Sequence, residues 1–185
     1  MKTINLLFLS VLIAIVTWSC SSPASSNGEF GESPYAKATE ISPVDSLSDL
    51  AQQIPGFGGL FIDDSGQLTI YLTDPDQQQA KAKEVLSNSE LIAQSLSHQS
   101  ASVSDMQVLK GQYTFITLHE WKKEVSRKVL IIEGVHSAGI DQSRNKLSIG
   151  VENESVLDKV HKKLAELDIP EEAVIIYQMT PPRFY

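Results

Sequence analysis

Twice along the chain, apolar and polar positions alternate with a period of two, and each time the period then lengthens to that of a helix. Leu68, Ile70 and Leu72 alternate with Thr69, Tyr71 and Thr73, as on a half-buried strand. Leu147, Ile149 and Val151 alternate with Ser148 and Gly150 in the same way. A short extended run ending in Asp63 or Asp141 precedes each strand. Between run and strand lie Asp64-Ser65-Gly66 and Gln142-Ser143-Arg144-Asn145, residues that accept positive φ or bond their own backbone. Each stretch predicts a β-hairpin.

A helix is expected after each hairpin. Asp74-Pro75 supplies an N-cap and a first-turn proline, with Ala80, Ala82, Val85 and Leu86 along the helix. Ser87 and Glu90 read as a second capping box, which would divide the region into two short helices. In the second copy Asn153 can cap a helix whose Val156, Leu157, Val160, Leu164 and Leu167 form one apolar stripe, ended by Asp168 and Pro170. Ala173 to Tyr177 is then a short apolar strand, and Met106 to Leu109 is its weaker counterpart after the first copy. Thr117 opens a helix over 117–130 that carries Leu118, Trp121, Val125 and Val129 on one side.

The two hairpins repeat in sequence as well as in period. Ile54/Ile132, Gly56/Gly134, Ile62/Ile140 and Asp63/Asp141 are identical at one offset; Leu68/Leu147 and Ile70/Ile149 are identical after one inserted turn residue. The expected fold is α+β: two tandem ββαβ units, 44–110 and 111–178, with the 117–130 helix linking them and a C-terminal tail at 179–185.

The N-terminus carries an address. Lys2 is followed by an apolar run from Leu6 to Val16, broken only by Ser10. That run is too short for a membrane-spanning helix, which needs about 20 apolar residues, and fits a signal peptide over 1–19. Cys20, followed by Ser21, Ser22 and Pro23, resembles the lipidated cysteine of a bacterial lipoprotein. Thr17 and Trp18 depart from that pattern, and ordinary cleavage near Ser19 or Ala24 is the alternative, leaving a secreted or periplasmic protein. With Ser21 rather than Asp after the cysteine, the resemblance implies an outer-membrane anchor facing the periplasm. Residues 20–43, rich in Ser, Pro and Gly without apolar period, then read as a flexible tether.

Composition removes several classes. The hydrophobic content of 42% is that of a globular chain rather than a disordered one. A net charge of −8 argues against nucleic acid, whose phosphates need a basic face. The acid is concentrated in residues 20–110, with four bases against twelve acids; residues 111–185 carry ten against eleven. A single cysteine leaves no internal disulfide or cysteine-based zinc site. His98, His119, His136 and His161 are scattered, and Lys123 stands where a zinc-protease helix would place its second histidine. Asp63 with Asp64, or Asp74 with Asp76, lacks the ligand spacing and terminal Glu of an EF-hand. Gly56, Gly58 and Gly59 lack the order of a phosphate loop and read as a bend. No catalytic, metal or cofactor residue is assigned, and a non-enzymatic binding role is expected.

The run from Gly139 to Ile149, together with the Thr117-Leu118-His119-Glu120-Trp121 helix ahead of it, resembles the pro-regions of secreted bacterial chymotrypsin-like proteases of the alpha-lytic protease and streptogrisin type. The similarity covers 54–178. It implies an α+β module that binds a serine protease as folding chaperone and inhibitor, with a C-terminal tail in the protease cleft. The tail here would be Met179, Thr180, Pro181, Pro182, Arg183, Phe184 and Tyr185, its Pro-Pro step favouring an extended form. No protease domain follows in this sequence, so the action implied is in trans. The alternative is an envelope assembly or scaffolding lipoprotein, because small ββα units also build oligomeric assemblies.

Overall fold

A computed structural model of the chain describes residues 39–40, 44–97 and 101–180. Its strands are β1 (Thr39–Glu40), β2 (Phe57–Ile62), β3 (Leu68–Leu72), β4 (Gln107–Lys110), β5 (Val135–Asp141), β6 (Lys146–Val151) and β7 (Val174–Gln178). Its helices are α1 (Val44–Gln53), α2 (Pro75–Ser87), α3 (Glu90–Leu96), α4 (Phe115–Lys128) and α5 (Leu157–Glu166). One sheet has the order β1-β2-β3-β4 and the other β5-β6-β7. In each sheet an antiparallel hairpin is followed by a strand that returns parallel beside the hairpin's second strand. A parallel return needs a crossover, supplied by α2–α3 in one unit and α5 in the other. The fold is α+β with two ββαβ units.

Burial explains the alternation read in the sequence. Leu60, Ile62, Leu68, Ile70 and Leu72 face Leu47 and Leu50 of α1 and Ala82 and Leu86 of α2 in one core. Leu147, Ile149 and Val151 face Leu118 and Val125 of α4 and Val160 and Leu164 of α5 in the other. Phe115, at the start of α4, belongs to the first core and Leu118 to the second, so this helix stitches the two together.

Local signals shift some boundaries. Helix α4 begins at Phe115, not Thr117: Thr114 is extended, and its hydroxyl accepts the Thr117 N–H at 3.2 Å. The cap of α3 is Ser89 rather than Ser87, accepting from the Ile92 N–H at 3.4 Å. Asp74 stands at the N-cap of α2 but its side chain makes no cap bond; instead its N–H donates to Gln78 Oε1 at 2.9 Å. Within the stretch expected as a tether, Thr39–Glu40 pairs antiparallel with Phe61 and Ile62 of β2. Cys20 and the rest of the leader and tether lie outside the described residues.

The repeat goes deeper than its identities. Helix α1 precedes the first hairpin as α4 precedes the second, so the linking helix is also the opening element of its unit. Each hairpin has a bulge at the same place, between Phe57 and Gly59 and between Val135 and Ser137. Gly56 and Gly134 both have positive φ, 67° and 86°, and their carbonyls accept from the Thr73 and Glu152 N–H groups at 3.0 and 2.8 Å. After the last strand of each unit, the N–H groups of Gly111 and Met179 donate to the Leu72 and Val151 carbonyls, both at 2.8 Å.

The units meet at a polar seam. The tip of the β5–β6 hairpin lies against the first sheet, on the face its helices leave open. Asn145, at φ 53° and 3% exposed, is its centre. Its Oδ1 accepts the N–H groups of Gln112 and Tyr113 at 2.8 and 2.9 Å, and its Nδ2 donates to the Gly58 and Tyr113 carbonyls, both at 2.8 Å. Beside it, Gln142 Oε1 accepts the Leu60 N–H at 3.3 Å and the Tyr71 hydroxyl donates to the Ser143 carbonyl at 3.0 Å. Burial, and next the charge of Asp141, push the Tyr71 phenol above its ordinary pKa. Gly58 and Gly111 make room: a Cβ would stand 2.8 Å from Asn145 Nδ2 at the first and 3.2 Å from Asn145 Oδ1 at the second.

Candidate partner-binding end of the second sheet

The second sheet ends in a strand that pairs on one side only among the described residues. Asp168, at φ 53°, and Pro170 turn the chain out of α5, and a single 3-10 turn at Glu171–Ala173 delivers it to β7. Strand β7 pairs with β6 from Leu147↔Val174 to Val151↔Gln178. No strand among the described residues pairs with its other side. Val174 and Ile176 turn toward the helix-covered core, and Tyr177 packs on the opposite face with its hydroxyl 2.8 Å from Ser137 Oγ. Val174, Ile175 and Ile176 are each only half-buried. An apolar strand with unpaired backbone groups along one side is a template for another strand. The first unit's last strand, β4, also has an open side but exposes Gln107 and Lys110 at its ends.

The chain then runs into the predicted tail. Met179 continues alongside β6, and its sulfur receives the Ser137 hydroxyl at 3.3 Å. Gln178 Nε2 donates to the Glu152 carbonyl at 3.0 Å. Glu152, Gln178, Met179 and Thr180 line a shallow depression of about 430 Å³. His136 Nε2 lies 3.8 Å from Glu152 Oε2 at its side. Of the predicted tail, Met179 and Thr180 join this end of the sheet; Pro181 to Tyr185 lie outside the described residues.

No family model matches the chain, and no curated protein matches it significantly. What the arrangement can do chemically therefore rests on its own residues. Among the described residues no group of three His, Asp or Glu side chains stands close enough to hold a metal ion, and no helix is long and apolar enough to cross a membrane. Asp63, once weighed with Asp64 as a cation ligand, is occupied in its turn: Oδ1 accepts from Ser65 N, Ser65 Oγ and Gln67 N. Those bonds, the Ser65 hydroxyl foremost, hold its carboxyl below the usual range. Asp74 and Asp76 sit at the start of α2, where acidic residues complement the helix dipole. His119 stacks on Phe115 at 6.0 Å, and His161 lies 3.5 Å from Glu171 across the second unit's surface.

The sequence reading did not single out Ser137, Gly150 and Tyr177 as one cluster, nor Asn145 as a clamp. Both left a trace. Gly150 interrupts an alternating strand where the first copy has Tyr71, and Asn145 aligns with Gly66 at the one turn position that needs positive φ.

Proposed function

We propose that this chain is an exported, lipid-anchored, non-enzymatic binding module that captures a protein partner at the open side of β7 and the tail that continues from it. The observation that carries the reading is that half-buried Val-Ile-Ile edge, unpaired on one side among the described residues and continued by Met179 alongside β6. Strand addition supplies affinity through backbone bonds and specificity through alternate side chains. The chain uses the same mode internally, where the two-residue β1 adds to the side of β2. The resemblance over 54–178 to protease pro-regions supports a secreted serine protease as the partner.

The test is capture by the full, tagged chain from the envelope and secreted fractions of its own cells, read by mass spectrometry. Enrichment of a serine protease whose activity falls on binding supports the reading. Enrichment of envelope-assembly components instead replaces the protease with the scaffolding role. A chain shortened by residues 181–185 is expected to capture less, and equal capture removes the tail from the site. Cys20→Ala is expected to move the protein out of the membrane fraction; unchanged partitioning would sink the lipid anchor.

A further inference from the structure

Helix α4 carries an outward stripe that neither core uses. Phe115, Leu118 and Val125 turn into the two cores, and at about 100° per residue Ile116, Glu120, Lys123 and Arg127 fall on the opposite side. All four are exposed. Ile131 stands two residues past the C-cap, Val129, and continues the spacing. It is 80% exposed and Ile116 is 44% exposed; among the described residues these are the large apolar side chains left in solvent. The first unit, built on the same plan, has Gln53 where Ile131 stands, since Ile54 aligns with Ile132. Within α4, Glu124 pairs with Arg127 and, at 3.4 Å, with Lys128. Exposed pairs one helical turn apart contribute little and exchange partners readily. They explain the charges on this stripe and leave the isoleucine at each end unexplained.

We infer that this stripe is a self-association surface, on which a second copy of the chain lays its own α4 antiparallel across a two-fold axis between Lys123 and Glu124. The order of the residues selects that partner. In this arrangement Ile116 meets the partner's Ile131, Glu120 meets the partner's Arg127 and Lys123 meets the partner's Glu124, and symmetry repeats each contact. No like charges oppose along the stripe. A parallel arrangement would instead set Glu120, Lys123 and Arg127 each against its own kind, which is costly. One helix face on another is a small interface, under about 1,200 Å² in total, so the dimer is a transient one. Helix α4 lies over β5 and β6, whereas β7 is the strand on the far side of that sheet. The dimer thus goes beyond the capture proposed at β7: its contact lies away from that edge, and it presents two such edges to a partner at once.

The test is thiol cross-linking of the full chain in cells with a short bismaleimide. Two differently tagged forms are made together, one with Ile116→Cys and the other with Ile131→Cys, and the natural chain with its single Cys20 sets the background. The two forms are expected to cross-link to each other. Neither is expected to cross-link to itself, because the antiparallel arrangement holds like positions about 20 Å apart, the rise of fifteen helical residues. Glu120→Arg or Arg127→Glu, added to both forms, is expected to lower the yield about tenfold by setting like charges opposite. The two reversals together restore the pairing and are expected to restore the yield. That recovery separates a contact between copies from a change within one helix. The inference is overturned by a mixed yield no higher than background, by single reversals that leave the yield unchanged, or by a double reversal that does not recover. Self-cross-linking of the Ile116→Cys form above the mixed yield would also overturn it, in favour of a parallel arrangement.

Discussion

The two hairpin tips of this chain align in sequence and differ in what they touch. Both open with an Asp whose Oδ1 accepts from the turn, at Ser65 in one and at Ser143 and Arg144 in the other. Both place one residue at positive φ, Gly66 at 82° and Asn145 at 53°. The first tip stands in solvent, and a Cβ on Gly66 would meet nothing within 4 Å. The second is buried against the neighbouring unit and satisfies four backbone groups through one side chain. A turn position that needs positive φ accepts either residue, since glycine has no Cβ and asparagine tolerates the left-handed region. The difference between a free end and a joint is therefore carried by a single carboxamide and by the glycines that make room for it.

Removing that carboxamide should show the largest effect. Asn145→Gly keeps the turn and leaves the Gln112 and Tyr113 N–H groups and the Gly58 and Tyr113 carbonyls without their partner. Leaving buried groups unsatisfied costs about 1–3 kcal/mol each, partly relieved here by water, so a net loss of about 3 kcal/mol is expected. Urea unfolding checks it, and a transition that splits in two would show that the units have also lost their coupling. Gly58→Ala attacks the joint from the other side. Its Cβ would stand 2.9 Å from the Tyr113 carbonyl, which is backbone and yields little. Overpacking of this kind costs about 1–3 kcal/mol, with the same readout.

A smaller effect is expected at the rim of the seam. Tyr71→Phe loses the bond to the Ser143 carbonyl, worth about 1 kcal/mol, and changes the response to alkali. The Tyr71 phenol is raised above its ordinary value by burial and then by Asp141. Its contribution is therefore present below the unfolded pKa of about 10 and is lost as pH rises through the folded value. The difference in unfolding midpoint between the natural chain and the Phe variant should shrink from pH 8 to pH 11. A difference that stays constant would mean that the phenol ionises no less readily in the folded chain.

Much of this architecture was legible in the sequence because period reports burial. Leu68-Ile70-Leu72 and Leu147-Ile149-Val151 declared their faces, and the aligned Asp63 and Asp141 placed both turns. Helix α1 was not legible: Val44–Gln53 carries Leu47 and Leu50 among Asp, Ser and Gln, a stripe too sparse to stand out without its counterpart α4. The two caps misplaced by two or three residues, Thr114 and Ser89, each sit near a second hydroxyl residue, and only the backbone decides which is extended. The seam was hidden for a different reason. Asn145 reads as an ordinary turn residue, and its partners at Gly58 and residues 112–113 are backbone groups, which leave no pattern in side-chain identity. The open β7 edge was visible as an apolar run at 173–177, but the same run would describe a strand paired on both sides.

The least effect, and the sharpest test of the comparison, is expected from Gly66→Asn. It gives the free tip the residue that makes the joint. Asn is among the few residues that tolerate positive φ, and the space around Gly66 is open, so the turn should keep its shape. Stability should change by less than about 0.5 kcal/mol, as for other surface substitutions, because the carboxamide finds solvent where Asn145 finds Gly58 and residues 112–113. A marked gain would mean that the first tip has a partner surface on this chain; a marked loss would mean that Gly66 is held by more than its φ. Near-neutrality, set beside a large cost for Asn145→Gly, would establish that the residue type contributes little by itself and that the sheet face it meets makes the joint.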